Sequence, residues 1–403
     1  MYFCRIERPA HLFRSRTAVA LLFAVNGFIY ANWTSRLPRL QEVYGMDNGQ
    51  TGFALTCLAV GALLAMPLAG FLIVRFGSRR LTVLSSLGFI LTAPLIALMP
   101  GYWVLLFIMP LVGVSTGVMD VGMNAQAVDV ERLWGTPITS SFHAFFSGGM
   151  FLGAGAAAGF IQLGFDVDRH LLVVAAITLC VAVYAWRDLL QDEPDAAEQT
   201  AGSVSKFGTA IILLGIASLC TMIGEGGVAD WSPIYMTRVT GSAEALAPIG
   251  QAALSGGMLV GRSLGDAIRL RFGSIKVVRV GAFMAFVGIT TAILFPIPWL
   301  AIAGFALVGL GLSNIIPVVF SEASKVPGLR PGVGISSVST IGYSAFLFGP
   351  PIIGFISDYQ NALLPQGMAF FPGVAGLRVG LGVVALLMLV LLMVSVFFLR
   401  VRQ

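Results

Sequence analysis

The sequence predicts an all-α membrane protein, with twelve transmembrane helices in two pseudo-symmetric six-helix bundles. Three observations lead there. Hydrophobic residues make up 57% of the chain and charged residues 11%, with a mean hydropathy of +0.90. Soluble domains carry about 25% charged residues, so this chain could not cover itself for water. The apolar residues gather into twelve runs near the roughly 20 residues that cross a bilayer as a helix. Finally, the chain is one unit written twice, at an offset of 196 positions.

The repeat is read from scattered identities that keep one spacing. Arg75-Phe76-Gly77-Ser78 returns as Arg271-Phe272-Gly273-Ser274. The same offset pairs Val43 and Gly45 with Val239 and Gly241, and Gly61 with Gly257. It pairs Pro100 and Trp103 with Pro296 and Trp299, and Leu111-Val112-Gly113 with Leu307-Val308-Gly309. Ser140-Ser141 falls on Ser336-Ser337, and Gly153 on Gly349.

In order, the runs lie near 17–35, 51–74, 81–99, 103–127, 138–162 and 170–186, then 207–232, 247–268, 277–295, 299–321, 335–357 and 377–399. The first follows Arg5, Arg8, Arg14 and Arg16. It is too long for the apolar core of a signal peptide and has no small-residue cleavage site, so it is read as an uncleaved first helix. Residues 1–186 are expected to form the N-terminal bundle and 207–403 the C-terminal one. Between them, 187–206 holds Asp188, Asp192, Glu193, Asp195 and Glu198 with no apolar period, and is read as a cytoplasmic acidic linker. With the N-terminus inside, 18 Lys or Arg fall in cytoplasmic segments and five in external ones, with Arg262 inside a helix. Basic residues concentrate on the cytoplasmic side, so both termini and both RFGS loops are placed in the cytoplasm of a plasma (inner) membrane protein.

The loop after the second run, Gly70-Phe71-Leu72-Ile73-Val74-Arg75-Phe76-Gly77-Ser78-Arg79-Arg80, resembles the signature G-x-L-A-D-R-x-G-R-[RK] of the major facilitator superfamily. It departs at Val74, where the acid belongs, and at Ser78. The second-half version, Gly261-Arg262 to Gly265-Asp266 and then Arg271-Phe272-Gly273, keeps an acid at Asp266. The resemblance covers the whole chain and implies secondary transport by alternating access. It also implies a cytoplasmic gate built from Arg75, Arg79, Arg80, Glu131, Arg132, Arg262 and Asp266, with Arg262 and Asp266 one turn apart and able to pair.

A narrower likeness is to the fucose-permease-like branch of sugar/proton symporters. It rests on Asn26-Gly27-Phe28 and Asn32-Trp33 in the first run, Asp120 to Asn124-Ala125-Gln126 in the fourth, and Glu225 to Asp230-Trp231 in the seventh. Those symporters use acids on their first and fourth helices. Here the first run offers only Asn26 and Asn32. Drug exporters of the superfamily carry a Gly-Pro pair in the fifth helix, whereas Phe146 to Gly153 has glycines and no proline.

Within the runs, Asp120 and Glu225 stand out. An ionised carboxylate in hydrocarbon survives only facing the bundle interior, where it can carry a proton. Their counterparts at the repeat offset are Ile316 and Ile29, so the repeat does not copy them. Either acid can instead be a fixed polar tie to a neighbouring helix. Thr116, Asp120 and Asn124 share a helix face, as do Ser140, His143 and Ser147, and Ser336, Ser339 and Tyr343. With Asn314, these stripes suit a polar ligand near the midplane, or plain helix packing. Tyr30, Trp33 and Trp231 suit stacking on a sugar ring, or an aromatic belt at the membrane surface. The substrate set is therefore Asn26, Tyr30, Trp33, Asn124, Glu225, Trp231, Asn314, Ser339 and Tyr343. The proton-coupling set is Asp120, Glu225 and His143, whose ordinary pKa suits exchange.

Other chemistries find no footing. Cys4, Cys57, Cys180 and Cys220 are scattered and read as buried free thiols. No metal-ligand spacing occurs, and no cofactor is expected. There is no HExxH or P-loop, so the chain is not expected to be an enzyme. No basic surface interleaved with aromatics points to nucleic acid. The expected partners are a small-molecule substrate, protons and the lipid bilayer, with the chain acting as a monomer. The leading reading is a proton-coupled transporter of a small polar solute, sugar-like in character. The alternatives are a proton antiporter exporting lipophilic or drug-like compounds and a non-transporting membrane receptor.

Overall fold

The computed structural model describes residues 9–136, 138–191, 208–327, 329, 331–366 and 374–397. The first half holds α1 (Ala10–Thr34), α2 (Leu37–Tyr44), α3 (Asn48–Phe76), α4 (Ser78–Thr92), α5 (Leu95–Leu98), α6 (Tyr102–Trp134), α7 (Thr139–Gln162) and α8 (Val167–Trp186). The second holds α9 (Thr209–Arg238), α10 (Ala247–Phe272), α11 (Ser274–Leu294), α12 (Pro298–Leu312), α13 (Ile315–Ala323), α14 (Pro331–Leu363) and α15 (Gly376–Phe397). Among the described residues there is no strand. Most of the linker, 192–207, lies outside the described residues, as does Cys4.

Among the described residues, eleven helical spans are long and apolar enough to cross a membrane. The remaining expected crossing is α10. Its 26 residues give it the length, while Gln251, Ser255 and Arg262 lower its hydropathy. The third and tenth crossings are each interrupted, at Ala93-Pro94 between α4 and α5 and at Ser313-Asn314 between α12 and α13. Several helices outrun the apolar stretch that announced them. Thus α6 continues to Trp134, α9 to Arg238 and α14 to Leu363. The amphipathic α2 was not expected at all. It leads into a capping box in which Asp47 accepts from the Gln50 amide at 2.6 Å and Gln50 returns an acceptor to the Asp47 amide at 3.1 Å.

The two RFGS motifs fold alike. α3 stops at Phe76 and α10 at Phe272, and Gly77 (φ 86°) and Gly273 (φ 81°) turn the chain so that the next helix starts at once. That backbone region is open essentially only to glycine. Arg75 and Arg271 each lay a guanidinium over the following ring, 5.3 and 5.5 Å from its centroid. The repeated glycines have a second use. A Cβ on Gly61 would strike the Pro110 carbonyl, and one on its mate Gly257 the Ala306 carbonyl. Gly113 and Gly309 meet Leu58 and Leu254 in the same way. So α3 lies backbone to backbone on α6, and α10 on α12, as small residues permit between membrane helices.

The halves meet along two seams that the repeat relates, α3 against α14 and α7 against α10. Gly52 abuts the Pro350 carbonyl and Gly354 the Asn48 carbonyl in one; Gly148 faces Leu259 and Gly256 faces Phe151 in the other.

Two surface expectations are corrected. Trp33 and Trp231 are 1% and 0% exposed and form no belt; Trp103 and Trp299, which are repeat mates, are 75% and 71% exposed and do. Cys180 is exposed, Cys57 half-buried and Cys220 buried, because helices packed on one side only leave some apolar positions on the lipid face. Arg36, just past the end of α1, is buried, with its side chain 3% exposed.

Candidate functional site

Polar side chains from both halves converge between the seams. Glu225 and Asp230 are five residues apart on α9, hence about 140° apart around it, and they face different partners. Arg262 of α10 reaches Glu225 with Nη2 to Oε1 at 3.3 Å. Its other nitrogen, Nη1, crosses to the first half, donating to the Ser147 hydroxyl and, at 3.3 Å, to the His143 carbonyl on α7. Their side chains are 14% and 24% exposed, and Ser147 is buried, so this ion pair is largely desolvated. A partner across the bundle lets the guanidinium fork serve α9 and α7 together. The Asp266 side chain lies outside the described residues.

Asp230 turns the other way. Its Oδ1 accepts the Tyr30 hydroxyl of α1 at 2.6 Å, a bond between halves. Asp120 is half-buried on α6, where Asn124 donates to its Oδ1 at 3.2 Å and to its carbonyl at 2.8 Å. Tyr343 of α14 is half-buried, its ring centroid 6.1 Å from that of Phe346. By the repeat, Tyr343 is the mate of Ser147, so one seam carries a phenol where the other carries the hydroxyl that Arg262 binds. These polar groups meet in three separate contacts: Asn124 with Asp120, Arg262 with Glu225 and Ser147, and Tyr30 with Asp230.

The other expected site residues are placed elsewhere. Asn26 is buried between α1 and α6, its amide against the Met123 sulfur at 3.8 Å. Trp33 packs edge-on to Tyr30 with centroids 5.5 Å apart, and both it and Trp231 are closed from solvent. Asn314 donates to the Gly261 carbonyl at 2.8 Å and occupies the space over Gly265, tying the α12–α13 break to α10. His143 sets its ring edge-on to Phe23 at 5.3 Å, and Ser339 is half-buried one turn before Tyr343.

Among the other expected gate charges, the described bonds lie within the first half. Arg79 donates to the Trp186 and Arg187 carbonyls at 3.3 and 3.4 Å, closing the end of α8. Glu131 accepts from the Ile138 and Thr139 amides, both at 2.7 Å, and so caps α7. Arg132 reaches Asp129 at 3.4 Å on its own helix. Arg80 is exposed, and Arg75 lies over Phe76.

The ties between halves cluster at the opposite end from the RFGS loops. There Gln251 donates to Thr34 at 2.7 Å and accepts from Ser35 at 2.8 Å. Asp358 accepts from the Asn48 side chain at 2.9 Å and from the Gly49 amide, capping α3 from α14. Arg238 meets Glu42 at 3.0 Å, and Arg36 meets Glu244 at 3.4 Å and the Phe165 carbonyl. Burial pushes the Arg36 pKa down, and the Glu244 carboxylate partly offsets this. None of Asp230, Gln251, Asp358 or Arg36 stood out in sequence as a site residue. Nor did the buried pair of His170 and Asn32, whose Nε2 and Oδ1 are 2.8 Å apart.

Residues 19–350 match the family model described as Major Facilitator Superfamily. The chain belongs to that superfamily. A curated relative, membrane protein MosC of Rhizobium meliloti, is 35% identical over 85% of this chain and 83% of its own length. An uncharacterised MFS-type transporter of Yersinia pestis is 30% identical over 87% and 91%. Multidrug resistance protein 1 of Bacillus subtilis is 24% identical over 80% and 84%. Among solved structures, a mutant of the nucleoside transporter NupG superposes with a TM-score of 0.73 at 11% identity, over 94% of this chain and 98% of its own. A bacterial homologue of the lysosomal transporter Spinster, in an inward-facing and unoccupied conformation, gives 0.68 at 15%, over 98% and 99%. At such identities these likenesses carry the fold alone. The chain is thus a multi-pass membrane protein of the MFS type, a family of transporters of small molecules rather than of enzymes.

Proposed function

We propose that this MFS protein is a secondary active transporter that moves a small polar solute across the plasma membrane by alternating access, driven by protons. The observation that carries the reading is the set of polar side chains at membrane depth, Asp120 with Asn124 on α6 and Glu225 with Arg262 and Ser147 across the seam. Polar atoms at membrane depth are costly: insertion scales charge about 2.5–3.5 kcal/mol for a charged side chain at a helix centre. The repeat places isoleucines opposite Asp120 and Glu225, so a duplicated scaffold does not require them. Glu225 is neutralised by Arg262, whereas the described partner of Asp120 is an amide on its own helix. On this reading Asp120 takes up the proton, and His143 and Glu225 lie on its path. Asn124, Tyr343 and Ser339 offer hydroxyl and amide contacts to the solute. The sugar-like character rests on the likeness of the Asn26, Asp120 and Glu225 segments to fucose-permease-type symporters.

The direction of opening follows from the same reading. If the basic RFGS loops face the cytoplasm, the ties at Gln251, Asp358, Glu244 and Glu42 form the external closure, and the molecule is inward-open. Both halves would then rock about the Arg262–Ser147 contact. Solute binding is found first, by thermal shift of the purified protein against monosaccharides, nucleosides and amino acids. Uptake of the hit into proteoliposomes should then follow an imposed pH gradient and lose that dependence in Asp120→Asn. Gradient-driven uptake that survives Asp120→Asn would refute the assignment of the proton.

The likeness to Multidrug resistance protein 1 favours a second reading, export of lipophilic compounds. Against it, α7 carries no proline from Thr139 to Gln162, where drug antiporters have their Gly-Pro pair. Raised tolerance to lipophilic cations on overexpression would promote it.

A further inference from the structure

Each half has a cavity at the RFGS end, and the two share equivalent positions on α1 and α9, away from the central polar contacts. In the first half it measures about 160 Å³ between α1 and α8, against Phe13, Thr17 and Ala18. In the second half it opens to about 300 Å³ between α9, α11, α13 and α15, and the mates Thr209, Leu213 and Leu214 line it. What differs is the filling. In the first half the chain after α8 folds back, and Gln126 binds the main chain of Leu190. The Leu190 amide donates to Oε1 at 3.0 Å, and Nε2 donates to the Leu190 carbonyl at 3.2 Å. Nε2 also donates to the Ser78 hydroxyl at 2.7 Å, and Leu189 is buried beside it. So this position holds an apolar side chain together with an amide that both donates and accepts.

The second half keeps Ser274 in place of Ser78 but has Glu322 in place of Gln126. Both Glu322 and Ser274 line the larger chamber, whose walls are otherwise Leu214, Val278, Val318, Leu391 and Val394. A carboxylate only accepts hydrogen bonds, so it cannot read an amide as Gln126 does. It asks for a group with donors alone and positive charge. We infer that this chamber binds a primary amine with an apolar body, the ammonium on Glu322 and the body among the aliphatic walls. Lys325 lies 2.9 Å from Glu322 Oε1, but both side chains are substantially exposed, at 56% and 32%. Such a pair is worth little and yields readily to a ligand that also buries apolar surface. The volume matches the lower range of small-molecule sites. Because α9 carries Glu225 and Asp230 as well as the chamber wall, occupancy would bear on the helix that links both halves.

The test uses the purified full chain in lipid nanodiscs with three probes of one shape: 4-phenylbutylamine, 4-phenylbutanol and 4-phenylbutyrate. Thermal-shift titration should give saturable binding of the amine at least ten-fold tighter than the alcohol, with the acid weakest. Glu322→Gln should bring the ratio of amine to alcohol close to one. Val318→Trp should abolish saturable binding; if that variant does not purify intact, Leu391→Phe replaces it. A diazirine derivative of the amine should label peptides of α9, α13 or α15, and Asp120→Asn should leave that labelling unchanged. Equal affinity for amine and alcohol, a preference that survives Glu322→Gln, labelling confined to α6 and α14, or no saturable binding would each overturn the proposal.

Discussion

The Tyr30 hydroxyl of α1 donates to Asp230 of α9 at 2.6 Å, a direct bond between halves that lies inside the outer ring of ties. Asp230 is 4% exposed, so without that donor its carboxylate has neither protein partner nor ready water. A buried acceptor left unsatisfied costs about 1–3 kcal/mol. Tyr30→Phe should therefore shift the population toward separation of the halves at this end. Spin labels at the exposed positions Val43 and Ala243 report it as a growing long-distance component. Asp230→Asn, which still presents an acceptor to Tyr30, should move less. An unchanged distance distribution in Tyr30→Phe would show that the outer ties alone hold the end together.

The glycine contacts predict paired damage. Gly61→Ala and Gly257→Ala each drive a methyl into a carbonyl, of Pro110 and Ala306, and backbone cannot yield as a flexible side chain would. Overpacking of this kind costs about 1–3 kcal/mol. Both variants should lose thermal stability by similar amounts. Gly155→Ala, with open space around its Cβ, should be neutral or gain up to about 1 kcal/mol from helix propensity. Melting of the three variants in one detergent decides it. Strongly unequal losses at the two mates would mean that only one half depends on the repeat contact.

How far the sequence could be read depends on the kind of signal. Apolar runs mark the hydrocarbon layer, so the number and order of crossings were legible, and the offset identities found the glycines that set helix spacing. Helix ends were not legible, because α9 and α14 continue as helix beyond the apolar stretch. Asp230 and Asp358 lie at or just past the expected ends of their runs, 232 and 357, and neither stands out there as a site residue. Pairing across the bundle was also hidden. Arg262 and Asp266 satisfy the one-turn rule, but the rule knows nothing of Glu225 on a neighbouring helix. Likewise Asn26 and Asn314 look like ligand-binding amides, and their contacts between helices, with Met123 and the Gly261 carbonyl, carry no signal in the sequence.

The cap that α14 lends to α3 gives a further test. Asp358 receives the Asn48 side chain at 2.9 Å and the Gly49 amide at the positive end of a 29-residue helix. Removing a capping carboxylate typically costs about 0.5–2 kcal/mol. Here the loss should fall on the contact between halves rather than on α3 itself, since Asp47 and Gln50 form their own capping box. Asp358→Ala is thus expected to lengthen the Val43–Ala243 distance as Tyr30→Phe does, with little change in helix content by circular dichroism. Loss of helix content without change in distance would place the role of Asp358 inside the fold instead.

Arg262 offers the sharpest separation of charge from geometry. Its fork serves Glu225 in its own half and Ser147 and His143 across the seam. Arg262→Lys keeps a positive charge beside Glu225 but has one nitrogen where three contacts are needed. Arg262→Met removes the charge and leaves Glu225, 24% exposed, without its counter-ion. Breaking one side of a desolvated pair costs about 3–5 kcal/mol when fully buried, and correspondingly less at this exposure. The ordering expected is wild type, then Lys, then Met, in thermal stability. Adding Glu225→Gln to Arg262→Met should restore part of the loss, with a coupling of about 0.5–3 kcal/mol in the double-mutant cycle. The cross-seam bond to Ser147 is not restored by that second change, so a residual deficit should persist, and Ser147→Ala in the wild type should reproduce it. A cycle with no coupling would mean that Arg262 acts through α7 alone and that Glu225 is neutralised by other means.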